Sequence, residues 1–206
     1  MITMALGCLS LIGVATAQIP GGLKEQRGAD GEEPATQVLS DTLTYNDDNK
    51  TTRFTGHVIM TRGPLTLVSD QLDLREDLAG DQYGRATMHN DKRVQIRQEN
   101  PEKFEVLVGL GEIAEYDGKA ETFELIDRAI LVRFICGRPF DTVSAQRIRY
   151  DQKTETYRAF GAPQSTNVKE RVRSVAQPRA KIDAAVEACR QQVAAGVEPP
   201  VVPAMQ

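Results

Sequence analysis

The sequence predicts an all-β fold built from short antiparallel hairpins. Residues 45–56 recur without gaps at 116–127 and again at 150–161, and each copy opens with a Tyr. The centre of each copy is polar and its flanks carry β-branched and aromatic residues, which is the composition of a tight turn between two strands. Between residues 36 and 177, short runs of alternating apolar and polar residues are closed by turn residues. This spacing favours a sandwich or a rolled sheet.

The predicted strands follow one another along the chain with Gly-, Pro- and Asn-containing turns between them. Period-two alternation places Leu43 and Tyr45 on one face of the first hairpin and Thr42 and Thr44 on the other. The further predicted strands are 54–61, 65–74, 85–88, 93–98, 103–110, 123–134, 142–150, 156–160 and 168–177. A propeller is the alternative repeat architecture, but a blade needs about 40 residues, so three or four copies would barely close a ring.

The N-terminal segment has the features of a secretory signal peptide. Residues 1–17 carry no charged side chain, are mostly apolar and end in a small-x-small triplet. We expect cleavage after residue 17; an uncleaved membrane anchor is the alternative, disfavoured because the apolar run is short and broken by glycines. Residues 18–35, rich in Gly, Glu and Lys, are expected to form a flexible linker.

Composition and charge exclude several classes of function. The chain has 25 Lys and Arg against 29 Asp and Glu, a formal net charge of −4, which is too nearly neutral for phosphate-backbone binding to be the main activity. Its two histidines, His57 and His89, do not occur at metal-ligand or nucleophile spacing. Gly109 and Gly111 form a lone glycine pair that indicates a bend or bulge. We therefore expect no enzyme, no metal, no cofactor and no nucleic-acid partner.

The two cysteines that follow the predicted signal peptide leave two interpretations open. Cys136 and Cys189 could pair in an oxidising compartment, or could remain two separate, partly buried thiols.

The C-terminal residues 178–206 change in character from the rest of the chain. Apolar residues recur at helical spacing at Ile182, Val186, Cys189 and Val193, with Pro178 at the start and Gly196 just past the end. This pattern predicts a short amphipathic helix, docked on the body, followed by a disordered Pro-rich tail from residue 198.

The order of the hairpins resembles the OstA-type domain of the LptA family of lipopolysaccharide transport proteins. The residues that carry the resemblance are 40–45, 54–60, 65–74 and 145–151, and the similarity spans 36–177. The chain departs from the family pattern at Ala114 and Asp127, where the family favours a larger apolar residue and Gly, and in its cysteine pair and C-terminal helix. The resemblance implies an incompletely closed, twisted β-jellyroll whose apolar interior holds the acyl chains of lipid A.

The same resemblance implies a role in outer-membrane assembly. It predicts a periplasmic bridge component that carries lipopolysaccharide from the inner to the outer membrane. The expected partners are an inner-membrane LptC-like protein and an outer-membrane LptD-like translocon, joined by stacking of edge strands, together with head-to-tail copies of the chain itself. The alternatives are a membrane-anchored LptC-like domain of the same pathway and an adaptor domain that binds no lipid. A hydrolase is disfavoured because no acid and nucleophile pair is evident.

Alternation along the predicted strands nominates a set of apolar residues as the lining of the lipid site. Each of them could equally be ordinary core, and a one-residue error in register would exchange the two faces of a whole strand. The lipid-binding candidates are Val38, Leu43, Tyr45, Val58, Met60, Leu65, Leu67, Leu72, Leu74, Val94, Ile96, Phe104, Val106, Tyr116, Phe123, Leu125, Ile148 and Tyr150.

Overall fold

The computed structural model describes residues 34–154, 156–162, 170–202 and 205. The expected signal peptide and residues 18–33 of the expected linker lie outside the described residues. The strands are β1 (Thr36–Leu39), β2 (Thr42–Asn46), β3 (Thr51–Arg62), β4 (Leu65–Glu76), β5 (Gln82–Thr87), β6 (Val94–Asn100), β7 (Glu105–Gly111), β8 (Ile113–Asp117), β9 (Thr122–Ile135), β10 (Arg138–Asp151), β11 (Thr156–Phe160) and β12 (Arg173–Val175). A 3-10 turn at Pro101–Lys103 precedes β7, and one helix, α1 (Arg179–Ala194), follows β12.

The strands form one continuous antiparallel sheet in two tiers. In one tier the order is β1-β3-β4-β6-β7-β9-β10-β12, and in the other it is β2-β3-β4-β5-β8-β9-β10-β11. The long strands β3, β4, β9 and β10 run through both tiers. All three repeated turns lie at the outer end of the second tier, which we call the repeat end. The turn at Cys136 and Gly137 lies at the opposite end, which we call the cysteine end.

Bulges between the two tiers bend the long strands. Gly56 and Asp127 occupy equivalent positions of two repeats, and both have a left-handed backbone, with φ of 81° and 58°. The residues that follow them, His57 and Arg128, also have positive φ, and the β3–β4 register shifts between Thr55 and Val58. Asp tolerates this conformation better than most side chains, so Asp127 can replace the expected Gly without loss of the bulge.

The predicted jellyroll is confirmed, with its apolar interior inside the curved sheet. Buried Phe54, Val58, Leu72, Leu125 and Ile148 belong to one cluster that both tiers share. Among the described strands, no ladder joins β1 and β2 to β11 and β12, so a seam remains between these two edges. The fold is therefore a twisted, incompletely closed roll of antiparallel hairpins.

The predicted C-terminal helix is confirmed, and a disulfide fastens it to the cysteine end. Cys136 and Cys189 are bonded, with Cα atoms 5.8 Å apart. The backbone N–H of Gln177, just before the helix, donates a 2.7 Å hydrogen bond to the Asp141 carboxylate on β10. These two contacts hold the segment just before the helix and the C-terminal half of the helix itself. No helix in the described part of the chain is long and apolar enough to cross a membrane.

The expectation of a disordered tail from residue 198 needs correction at Val202. Val202 is buried against Val108, Val132 and Phe134 on the outer face of β7 and β9. Gly137 allows the preceding segment to approach, because a Cβ at this position would lie 2.2 Å from the carbonyl oxygen of Pro200. Burial of an apolar side chain on an apolar outer face offsets the entropy of ordering this segment.

Candidate binding groove

The repeats place aromatic side chains in one ring around the inside of the repeat end. Directly paired residues of antiparallel strands share one face of the sheet, so the register traces this ring from strand to strand. Its members are Tyr45, Thr52, Leu74, Gly84, Tyr116, Phe123, Tyr150 and Tyr157. The next ring inward is Leu43, Phe54, Leu72, Ala86, Ala114, Leu125, Ile148 and Ala159. The repeated Tyr is therefore an inward-facing position in all three copies.

A groove of about 490 Å³ lies inside the roll, largely against β3 and β4. Its middle is apolar, formed by side chains such as Met60, Leu67 and Ile96. Polar residues line both of its ends, with Gln82 toward the repeat end and Arg62 at the opposite end. The volume falls in the range of natural small-molecule sites, about 300–1,000 Å³. The arrangement provides an apolar channel with polar residues at both ends.

Sixteen of the eighteen predicted lining residues lie on the inner face, and nine of these border the groove. The nine are Tyr45, Met60, Leu65, Leu67, Leu72, Leu74, Ile96, Tyr116 and Phe123. The others pack in the interior or extend its rings, and they are Val38, Leu43, Val58, Val94, Leu125, Ile148 and Tyr150. Leu43 and Tyr45 remain 59% and 56% exposed because β2 is an edge strand. Ala114 keeps its inward register between Ala86 and Leu125 despite its small size.

Phe104 and Val106 are the two candidates that lie neither along the groove nor in the interior cluster. Phe104 ends the 3-10 turn with a left-handed backbone, φ 51°, and Val106 packs in the outer cluster that contains Phe134. Leu107 pairs with Arg133, so Leu107 is the residue of this segment that lies on the inner face. Positions 106–108 and 110 are all apolar, so alternation could not distinguish the two faces of a strand that is buried on both.

Alternation also missed several residues of the inner face. The missed residues belong to the interior cluster and are Ala86, Leu131, Val143, Tyr157 and Ala159. They were missed because small or isolated apolar residues give little alternation signal. Tyr157 and Ala159 alternate within the last hairpin and pair with Tyr150 and Ile148, so the third repeat carried the information that would have found them.

A buried ionic cluster occupies the inner face at the cysteine end. The guanidinium of Arg133 donates from Nε to the Asp141 carboxylate at 2.7 Å and from a terminal nitrogen to the same oxygen. Glu105 lies 3.6 Å from another Arg133 nitrogen. The side chains of Arg133, Asp141 and Glu105 are 4%, 3% and 11% exposed, so the roll is polar and filled here rather than hollow. Pairing makes such burial tolerable.

Glu105 gives this cluster a testable pH dependence. Burial raises the pKa of Glu105 above its ordinary value, and the charge of Arg133 only partly offsets this rise. An acid whose pKa is raised on folding contributes most to stability at low pH, and that contribution is lost as pH rises through the folded-state pKa. We expect Glu105→Gln to gain stability relative to wild type as pH rises above the ordinary pKa of a glutamate, measured by urea denaturation from acidic to neutral pH.

The exposed Glu102→Gln on the adjacent turn is the matched control for removal of one carboxylate. A stability difference between Glu105→Gln and wild type that stays constant with pH would contradict the assignment.

The outer face of the repeat-end tier is polar and ion-paired. Arg53 contacts Asp73 across β3 and β4 at 2.5 Å, and Arg149 contacts Glu124 across β9 and β10 at 2.8 Å. Because this outer face is polar, the alternation of apolar and polar residues correctly predicted the inner face of these strands.

The described residues contain no group of three or more His, Cys, Asp or Glu side chains arranged to hold a metal ion. Both histidines pair with a carboxylate at the surface: His57 with Asp41 at 2.8 Å and His89 with Asp70 at 3.2 Å. The hydrogen bond to Asp41 and its charge raise the pKa of His57. These pairs flank the bulges and lie outside the groove.

The fold and the groove together define a β-jellyroll protein with an apolar interior. The family model described as "LptA/(LptD N-terminal domain) LPS transport protein" matches residues 37–156, more than half of the chain. The chain belongs to this family, which confirms the resemblance inferred from its hairpins. The family is one of lipopolysaccharide transport proteins.

A solved structure shows the same fold. The crystal structure of LptH, the LptA homologous periplasmic component of the conserved lipopolysaccharide transport device from Pseudomonas aeruginosa, aligns with a TM-score of 0.57 at 21% identity. The alignment covers 70% of this chain and 96% of LptH. No curated protein sequence matches the chain.

Proposed function

We propose that this protein binds the lipid A part of lipopolysaccharide and carries it across the periplasm between the inner and outer membranes. The observation that carries the proposal is the apolar groove inside an unclosed roll, in a chain of the lipopolysaccharide transport family. Each exposed methylene group costs about 0.8 kcal/mol in water, so several acyl chains cannot cross an aqueous gap unaided. A groove that shields the acyl chains from water removes most of this cost. Transfer of the lipid between sites of similar affinity then requires no bond to be made or broken.

Export to the periplasm is part of the proposal. Residues 1–17 would act as a cleaved signal peptide, and residues 36–177 would form the carrier domain. The bond between Cys136 and Cys189 supports an oxidising compartment, since disulfides persist there and are rare in the cytosol. LptH, which shares the fold, is itself a periplasmic component.

The bridge would be formed by strand addition at the two edges of the seam. Leu39 on β1 and Val175 on β12 are 57% and 42% exposed, and neither edge is paired among the described strands. Unpaired edges can accept a strand from another chain. We propose an inner-membrane LptC-like protein, an outer-membrane LptD-like translocon and further copies of this chain as the partners.

Site-specific photo-crosslinking tests the lipid site. A photoreactive residue at Ile96 or Phe123, both on the groove, is expected to capture lipopolysaccharide in whole cells. Matched positions on the outer face of the same strands, Gln95 and Glu124, are expected to capture none. The readout is a shift of the tagged protein that reacts with antibody to lipopolysaccharide.

Capture from Gln95 and Glu124 alone would overturn the assignment of the inner face. Capture from no position, with purified protein that also fails to bind lipopolysaccharide, would leave an adaptor domain that binds no lipid.

A further inference from the structure

The outer face of the repeat-end tier contains a second cavity, on the opposite side of the sheet from the groove. Its volume is about 900 Å³, larger than that of the groove. A twisted sheet is saddle-shaped, so each of its faces is concave along one diagonal. Arg75 and Tyr83, near the turns of the repeat end, border both cavities. We call the outer cavity the polar depression.

The floor of the polar depression lies on the outer face of seven strands, from β2 to β10. Cross-strand neighbours share one face of a sheet, so they form two rings here. One ring consists of Thr44, Arg53, Asp73, Arg85, Glu115, Glu124 and Arg149. The ring nearer the turns consists of Asn46, Thr51, Arg75, Tyr83, Asp117 and Thr122. The two rings contain one aromatic side chain, Tyr83, and no aliphatic one.

Three ion pairs cross this floor at regular intervals. Each pair joins two neighbouring strands, and together they occupy β3–β4, β5–β8 and β9–β10. Equivalent groups therefore recur at every second strand, about 10 Å apart. The acidic partners are 13–38% exposed and the arginines 45–61%, so the carboxylates lie deeper than the guanidinium groups. The pairs are Arg53 with Asp73, Arg85 with Glu115, and Arg149 with Glu124.

The paired groups retain most of their capacity for hydrogen bonds. A guanidinium has five N–H donors and an ionised carboxylate about four acceptor sites, and one contact within the pair uses few of them. A sugar hydroxyl can donate and accept at the same time. Such a hydroxyl can therefore bridge the two members of a pair without separating them, and neither charge loses its partner on binding.

The charge of the polar depression is balanced. An anion or a cation would meet as many repelling as attracting groups, so the lining favours an uncharged ligand. An apolar ligand is disfavoured, because it would remove water from the charged groups and replace none of their hydrogen bonds. A protein partner is disfavoured because the binding energy of protein interfaces is concentrated in buried aromatic and arginine anchors that fill pockets. The charged lining residues are Arg53, Arg75, Arg85 and Arg149 against Asp73, Glu115, Asp117 and Glu124.

We infer that the polar depression binds an uncharged, linear oligosaccharide that lies across the strands, with its hydroxyl groups bridging successive ion pairs. The regular interval between the pairs suits a ligand that is itself a chain of similar units. This site is separate from the lipid groove and does not depend on it. Two sources present this chemistry in the proposed compartment, the glycan of the cell wall and the polysaccharide part of lipopolysaccharide.

Titration calorimetry on the disulfide-bonded protein tests the inference with two probes, chitotetraose and polysaccharide freed of lipid A. We expect at least one of them to bind. Arg85→Ala with Glu115→Ala removes the central pair without changing the net charge, and should weaken that binding about tenfold. Removal of an exposed pair costs little stability, so the variant should fold. Glu187→Ala with Arg190→Ala removes an exposed pair on α1, and as the matched control should leave binding unchanged.

Binding of chitotetraose alone would assign the site to the cell-wall glycan, and binding of the polysaccharide alone to lipopolysaccharide. Binding of neither probe, or equal binding by the central-pair variant and its control, would overturn the inference. A sulfated heparin tetrasaccharide that binds more tightly than both probes would overturn the ligand class. Capture of lipopolysaccharide at Ile96 or Phe123 should not change when the central pair is removed, so the proposed function is tested separately.

Discussion

Arg133→Met is expected to lower the free energy of unfolding by about 3–5 kcal/mol, because it leaves the buried carboxylates of Asp141 and Glu105 without their cation. Arg133 is enclosed on the inner face of β9 and cannot exchange its partner for water. The Asp141 carboxylate would retain the Gln177 N–H at 2.7 Å, which is insufficient for a buried charge. Urea denaturation followed by circular dichroism provides the measurement.

Two further variants distinguish charge from packing. Arg85→Met removes the cation of an exposed pair with Glu115 on the outer face, and should cost less than about 1 kcal/mol. Adding Asp141→Leu and Glu105→Gln to Arg133→Met removes the stranded carboxylates and should recover much of the loss. If the triple variant is as unstable as the single one, lost packing rather than stranded charge is the cause.

Removal of the disulfide is expected to destabilise the protein by about 4 kcal/mol. The bridge joins residues 53 positions apart, and the chain-entropy relation for a loop of that size gives this value at 25 °C. For a chain of this length the loss corresponds to a fall in Tm of roughly 8–16 °C. The variant is Cys136→Ser with Cys189→Ser, and thermal unfolding is compared with and without reductant.

The reductant itself supplies the control for this experiment. Reduced wild type and the double serine variant should unfold alike, and reductant should not affect the variant. Hydrogen exchange should show loss of protection in α1 and around Val202 before the sheet opens, because the bridge holds the helix at the β9–β10 turn. A loss below about 1 kcal/mol would contradict a structural role for the bond.

The inner face of the roll could be predicted from the sequence where the outer face is polar. On β3 and β4, Arg53 and Asp73 lie opposite each other on the outside, so alternation assigned Leu72 and Leu74 correctly to the inside. On β7 the outer face is covered by the C-terminal segment, and nearly every residue is apolar. The period-two signal disappears there, which explains why alternation placed Val106 on the inner face.

Long-range pairing is not encoded in the alternation of the strands. In the sequence, Asp141 and Arg133 have no feature that distinguishes them from exposed charged residues. Only the register of β9 and β10 places them side by side on the inner face. In the same way, the contact of Cys136 with Cys189 depends on where α1 docks, which local sequence does not encode. Comparison of the repeats identified Asp127 as a position where Gly is expected. Its left-handed backbone, however, is imposed by the surrounding sheet.

The seam between the two sheet edges gives the roll a mechanical property that a closed ring of strands lacks. Since no ladder among the described strands bridges the edges, the roll can widen without breaking a backbone hydrogen bond of the sheet. Widening is opposed by sheet bending and by contacts across the interior, of which the apolar ones are non-directional and are regained on a bound acyl chain. The width of the interior can therefore adjust to the bound lipid. The register of the hairpins and the ring of tyrosines at the repeat end are preserved when it does.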